Sequence, residues 1–174
     1  MPNVRAWSTY PPLVSLANLL GVRPLALASL IDFESGWRPG AHNALSSARG
    51  LLQFTDATAR ALGYLHAMDL VTQNATIDAQ LSGPVFEYLN HFFPFPTDQS
   101  LFMAVFYPDA RKWPTSRAFP LSVQLANPGI VTPGDYIARV YRRGGINPAS
   151  PVILALAVLG ALGLYYLNTR GIFA

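Results

Sequence analysis

Leu13, Leu16, Leu19 and Leu20 recur at helical spacing and stop at Gly21, which predicts a short amphipathic helix. Pro24 suits the first position of the next helix, which runs to about Glu34 and ends at Ser35-Gly36. From Trp37 to Phe54, Gly, Pro, Asn and Ser predict loops with room for a small hairpin. Thr55 reads as a helix cap and Gly63 as the stop. Ile77, Leu81, Val85, Leu89 and Phe92 share one stripe, interrupted by Gly83-Pro84, so a kink or two joined helices is expected. Thr97 caps the apolar run Leu101 to Tyr107, which Pro108 ends. Asp109 to Ile130 is rich in proline and reads as loop with one short helix. Thr132-Pro133-Gly134-Asp135 opens a last helix carrying Tyr136, Ile137, Val140 and Tyr141 before Gly144-Gly145. Met1 to Tyr10 is polar and mixed, with neither the apolar core nor the cleavage site of a secretory signal. Internal repeats and a strand set are absent from the pattern, and the body reads as mainly helical.

Composition changes this picture at one place. Hydrophobic residues make up 51% of the 174 and charged residues only 12%, about half the usual share, so part of the apolar content is expected to meet lipid. The run Pro151 to Leu167 carries no charge. At 1.5 Å per residue, about seventeen residues of helix span roughly 26 Å, close to the apolar thickness of a bilayer. The alternative is a central helix of the soluble core, although the body already reads as complete before Gly144. The expected organisation is therefore a globular domain over 1–146 and a hydrophobic anchor helix with a short tail over 147–174. A net charge of +3 is mild and forms no nucleic-acid tract. With no cysteine, disulfides and thiolate metal sites are excluded. His42, His66 and His91 lack ligand spacing, so neither metal nor cofactor is expected.

Glu34 is the residue that asks for chemistry. Leu27, Leu30, Ile31 and Glu34 stand at i, i+3, i+4 and i+7, which places Glu34 on the apolar stripe. Asp32 lies about 200° round the helix from it and reads as solvated. Glu34 is also in the last turn, where the carbonyl ends disfavour an anion. Burial and the dipole both push a carboxyl group's pKa upward. A carboxylic acid held protonated near neutral pH is what a glycosidase needs to protonate a leaving oxygen. The alternative is a side chain that turns to solvent or pairs with Arg38.

The residues around it extend this reading. Glu34-Ser35-Gly36-Trp37, Pro39, Ala41, Asn43, Ser46-Ser47-Ala48, Gly50-Leu51-Leu52-Gln53-Phe54, Thr58-Ala59 and Leu62-Gly63 stand in an order that resembles the lytic transglycosylase family, in particular its phage-borne branch. The likeness extends more loosely to Gln80-Leu81, Ala104 to Pro108, and Asp135-Tyr136-Ile137 with Val140. It implies a mainly α, lysozyme-like (α+β) domain, which the apolar run is expected to follow with one C-terminal transmembrane helix. It implies Glu34 as single catalytic acid/base, Gln53 lining the saccharide cleft, Ser47 and Gly50 in one cleft wall, and Tyr136 approaching the catalytic carboxyl group. From the residues alone, Gln53 also fits a buried amide satisfying loop backbone, and Tyr136 fits a core position. Where the family has an Ala-Tyr-Asn-Ala-Gly-like segment, this chain reads Ala104-Val105-Phe106-Tyr107-Pro108. Either Phe106 or Tyr107 could stand for the usual tyrosine, and Tyr107 is taken as substrate-binding.

A hydrolytic lysozyme generally uses a second carboxylate. Asp32 is on the wrong helix face, and Asp56 is better explained as a first-turn carboxylate at a helix N-terminus. With one acid and no evident partner, substrate-assisted chemistry is the better reading, and the resemblance implies closure of an anhydro ring by the 6-hydroxyl of N-acetylmuramic acid. The alternatives are a hydrolytic muramidase and a non-catalytic virion or envelope protein that keeps the fold. Arg139, Arg142 and Arg143 precede the apolar run and only Arg170 follows it, a bias that holds the body in the cytoplasm of the producing cell. Peptidoglycan is on the other side. The expectation is a single-pass membrane protein carried in a virus particle and delivered to the envelope of the next host. Its partners are then peptidoglycan glycan strands, membrane lipid through Pro151–Leu167 and other virion proteins.

Overall fold

A computed structural model describes residues 3–146. The proposed anchor, Pro151–Leu167, lies outside the described residues. Within them no single helix is long and apolar enough to cross a membrane.

The elements run α1 (Val4–Trp7), α2 (Pro11–Leu19), α3 (Pro24–Ser35), α4 (Asp56–Ala61), α5 (Ala67–Gln73) and α6 (Ile77–Gln80). A π turn over Leu81–Val85 leads into α7 (Phe86–Asn90), followed by α8 (Asp98–Phe106), a 3-10 turn over Pro108–Lys112, α9 (Leu121–Ala126) and α10 (Pro133–Arg143). The threonine caps are in place. Thr55, Thr97 and Thr132 each accept a backbone N–H three residues on, and the last two form reciprocal capping boxes with Ser100 and Asp135. The Gly83-Pro84 break is real: Gly83 leaves helical geometry, at φ −105° and ψ −108°, because Pro84 removes a donor and crowds the preceding turn. The α+β expectation thins to isolated bridges, His42 with Arg49 and Arg49 with Phe54.

Two helices go beyond the pattern. In the stretch read as polar and mixed, α1 forms because Asn3 caps it and Val4 enters the core. The α5 helix starts at Ala67, whose N–H is satisfied from a distance by Asp56.

The core is organised around α3. Ala26, Leu27, Ala28, Leu30 and Ile31 are all fully buried, so this helix is covered nearly all round rather than along one stripe. It is flanked by α1, α2, α8 and α10. Each large aliphatic side chain buried there contributes about 1.5–3 kcal/mol. The covering also corrects Asp32, which is not solvated: its carboxylate is mostly buried, with Arg143 of α10 at 3.7 Å. Burial raises the Asp32 pKa and Arg143 opposes that rise. At the other end of α3, Arg23 donates to Asp98 and, at 2.8 Å, to the Tyr141 hydroxyl, which in turn donates to Asp98. This cluster ties the starts of α3 and α8 to α10, and so fixes α10 along α3.

Candidate active site

Glu34 occupies the last turn of α3. Gly36 ends the helix in the left-handed region, its N–H returning to the Asp32 carbonyl at 2.9 Å. Trp37 follows, also left-handed at φ 62°, and its indole stacks on Trp7 at 4.1 Å and 6°. That reversal holds the helix end and fixes the direction of Glu34. The Arg38 alternative is not realised, since its Nε donates to the Ser35 carbonyl.

Opposite Glu34 stands Tyr136, fully buried on α10, its hydroxyl donating to Glu34 Oε1 at 2.5 Å. Phe33 meets the Tyr136 ring edge-on at 5.3 Å and Phe106 stacks on it at 4.3 Å. A cavity of about 340 Å³ opens against this group, walled by Phe33, Glu34, Phe106, Tyr136, Arg139 and the segment Ala126–Pro128 with Ile130. Glu34 thus has an edge on the cavity while its carboxyl group is largely stripped of water. Burial pushes its pKa from the ordinary 4.5 up to about 7, against the lowering effect of the Tyr136 hydrogen bond. Burial and the neighbouring Glu34 charge drive Tyr136 well above its usual value, so it stays a donor. Tyr88 is pushed up to about 12, mainly by burial, with Glu34 a minor contributor and Arg111 opposing. Its hydroxyl donates to the Ala104 carbonyl at 2.7 Å.

The loop before α4 is built differently. Arg49 and Phe54 exchange both backbone hydrogen bonds, at 3.0 and 2.8 Å, and close a tight turn. Within it Gln53 is left-handed at φ 51°, and its amide donates to the Gly50 carbonyl at 3.0 Å and the Ala41 carbonyl at 3.4 Å. Gln53 here is an amide that satisfies loop backbone. Gly50, at φ 79°, leaves no room for a side chain, because a Cβ would lie 2.8 Å from Gln80 Oε1. Ser47 Oγ accepts the Asp56 N–H at 3.0 Å. The Asp56 carboxylate accepts from Ala67 N, which holds its pKa below the usual carboxylate range, with His66 at 3.6 Å as a further cause. Asp56 therefore serves the start of α5, one helix beyond the one it opens.

Glu34 and Tyr136 are brought together, and Ser47, Gly50 and Gln53 form the loop rather than the cavity wall beside them. Tyr107 stands apart, its ring edge-on to Trp113 and Phe119, while Phe106 takes the place beside Tyr136 and Glu34. Sequence reasoning did not reach Phe33, Asn127, Ile130 or Arg139 as cavity residues. Only Arg139 left a trace, one turn from Tyr136 at i+3 on the same helix. No cluster of three His, Asp or Glu side chains suited to a metal occurs among the described residues.

Residues 16–80 match the transglycosylase SLT domain. The match supports the lytic transglycosylase family and spans Glu34, the Ser47–Gln53 loop and Gln80. Tyr107, Tyr136 and Arg139 fall beyond the SLT stretch and are joined to it only by the fold. No curated protein sequence matches the chain.

Proposed function

We propose that this protein is a peptidoglycan lytic transglycosylase that cleaves the bond between N-acetylmuramic acid and N-acetylglucosamine, with Glu34 as its single acid/base. The observation that carries the reading is a glutamic acid within the SLT match, its pKa raised to about 7, facing a cavity beside the Tyr136 hydroxyl. Near neutral pH a large share of Glu34 holds its proton and can deliver it to the glycosidic oxygen. The oxocarbenium-like charge that develops is met by the carboxylate so formed. That carboxylate then takes the proton of the sugar's own 6-hydroxyl as its oxygen closes on the anomeric carbon, giving a 1,6-anhydro end and regenerating the acid. Among the described residues the other two candidate carboxylates are engaged elsewhere, Asp32 near Arg143 and Asp56 by Ala67 N. This favours a substrate hydroxyl over an activated water.

The test is digestion of purified cell wall by wild type and Glu34→Gln, with the products weighed by mass spectrometry. Anhydro ends lost in the variant are expected. Reducing ends would assign a hydrolytic muramidase, equal clearing by both proteins would remove Glu34 as the acid, and no clearing by wild type would leave only a structural or binding role for the fold.

Attachment to a membrane through Pro151–Leu167 and carriage within a virus particle belong to the same proposal. They rest on the uncharged apolar run and the arginine bias before it. Fractionating purified virions is the check, since a protein found only in host membrane would sink the delivery idea.

A further inference from the structure

Arg139 has a seat in the cavity that the proposed chemistry does not use. Its Nη2 donates to the Pro128 carbonyl at 2.9 Å. Gly129, at φ 78°, makes way for it: a Cβ there would fall 2.3 Å from that same nitrogen. The guanidinium is thus laid onto the turn that forms one cavity wall, with one of its five N–H groups spent on the backbone. No carboxylate lies within ion-pair distance of it among the described residues. The nearest acidic neighbour in sequence, Asp135, spends its carboxylate on Val131 N, Thr132 N and the Thr132 hydroxyl, and the Arg139 charge is only the least of the causes that lower its pKa. No ion pair joins Arg139 to Glu34 across the cavity among the described residues. The rest of the wall is apolar or neutral. A fixed, partly satisfied guanidinium facing a cavity whose acid is only partly ionised near neutral pH makes the space attractive to an anion.

We infer that Arg139 is a specificity-determining residue that receives a carboxylate carried by the substrate, so that the enzyme favours glycan strands whose muramyl groups bear free carboxylates over the same strands with those groups neutralised. The inference rests on the proposed transglycosylase reading. Wall glycan offers such groups on the stem peptides, or on the lactyl ethers of muramyl groups that carry no stem, projecting from every second sugar. A planar guanidinium held by a backbone carbonyl is already oriented for a two-pronged contact, and little side-chain freedom is lost on binding.

The experiment uses one batch of soluble peptidoglycan strands, half of it amidated at its carboxylates with carbodiimide and ammonia. The readout is the ratio of kcat/KM on the free strands to that on the amidated strands. Wild type is expected to favour the free strands by about tenfold, the size of one partly solvated charge-assisted contact. Arg139→Gln should bring the ratio near one, and Arg139→Glu should invert it. A mere tether for the Pro128 turn would lower both rates together and leave the ratio as in wild type, and that result overturns the inference while leaving the proposed function standing. If wild type cleaves neither polymer, the underlying reading fails and the inference falls with it.

Discussion

Gln80 spends both ends of its amide on backbone: Oε1 accepts from Leu51 N at 2.8 Å, and Nε2 donates to the carbonyls of Pro39 at 2.7 Å and Asn74 at 2.9 Å. Glu34, also drawn into the helical body, has Tyr136 as its single hydrogen-bond partner among the described residues and an edge on a cavity. Both fall within the SLT match. A buried polar group with every bond made is a clamp, and it locks the Gly50 turn, α6 and the chain after α3 into one piece. A buried ionisable group left under-satisfied costs stability, and the cost appears as a raised pKa where a ligand can reach it. Satisfaction, more than burial, separates scaffold from candidate chemistry here.

The largest expected break in that comparison is at Glu34. Its replacement by Gln keeps shape and burial but removes the proton, and release of soluble fragments from cell wall should fall by about 10³-fold. Next comes the clamp. Gln80→Ala strands Leu51 N and two carbonyls, and urea unfolding should show a loss of about 3 kcal/mol. The third effect has the opposite sign. In the folded state Glu34 keeps its proton up to about pH 7, whereas the unfolded chain releases it near 4.5. Stability therefore falls as pH rises through that window and stays low above it. Glu34→Gln escapes this and should be more stable than wild type by about 3 kcal/mol at pH 8, with the gain vanishing near pH 4. Gly50→Ala, strained at φ 79° and crowding Gln80, should cost about 1.5 kcal/mol by the same unfolding measurement. The smallest effect is a shift. Tyr136→Phe removes the hydrogen bond that lowers the Glu34 pKa, so the alkaline limb of the rate profile should move to higher pH.

Much of this was legible in local pattern. Thr55, Thr97 and Thr132 announce their helices because a cap needs only a side-chain oxygen and a backbone three residues on. The Gly83-Pro84 break follows from the ring of one residue. Glu34 could be placed on the buried face because the spacing from Leu27 to Ile31 is a property of one helix. Asp32 could not, because its surroundings come from Arg143, far along the chain at the end of α10. The Tyr107 expectation shows the same limit. Adjacent aromatics at the end of α8 leave in different directions, and only the packing of Phe119, Trp113 and Tyr136 decides which of them meets the cavity.

The amino-acid order by itself determined the helices other than α1 and α5, the threonine caps, the lone acid on an apolar stripe and the loop motif that follows it. These are short-range matters, governed by 3.6-residue periodicity and by hydrogen bonds within a few residues. Tertiary structure alone decided that Tyr136 reaches across to Glu34, that Gln53 turns into its own loop, and that Arg139 and the segment around Pro128 wall the cavity. Those outcomes depend on how α10 lies along α3, which is fixed by core packing and by the Arg23, Asp98 and Tyr141 cluster joining residues far apart in the chain.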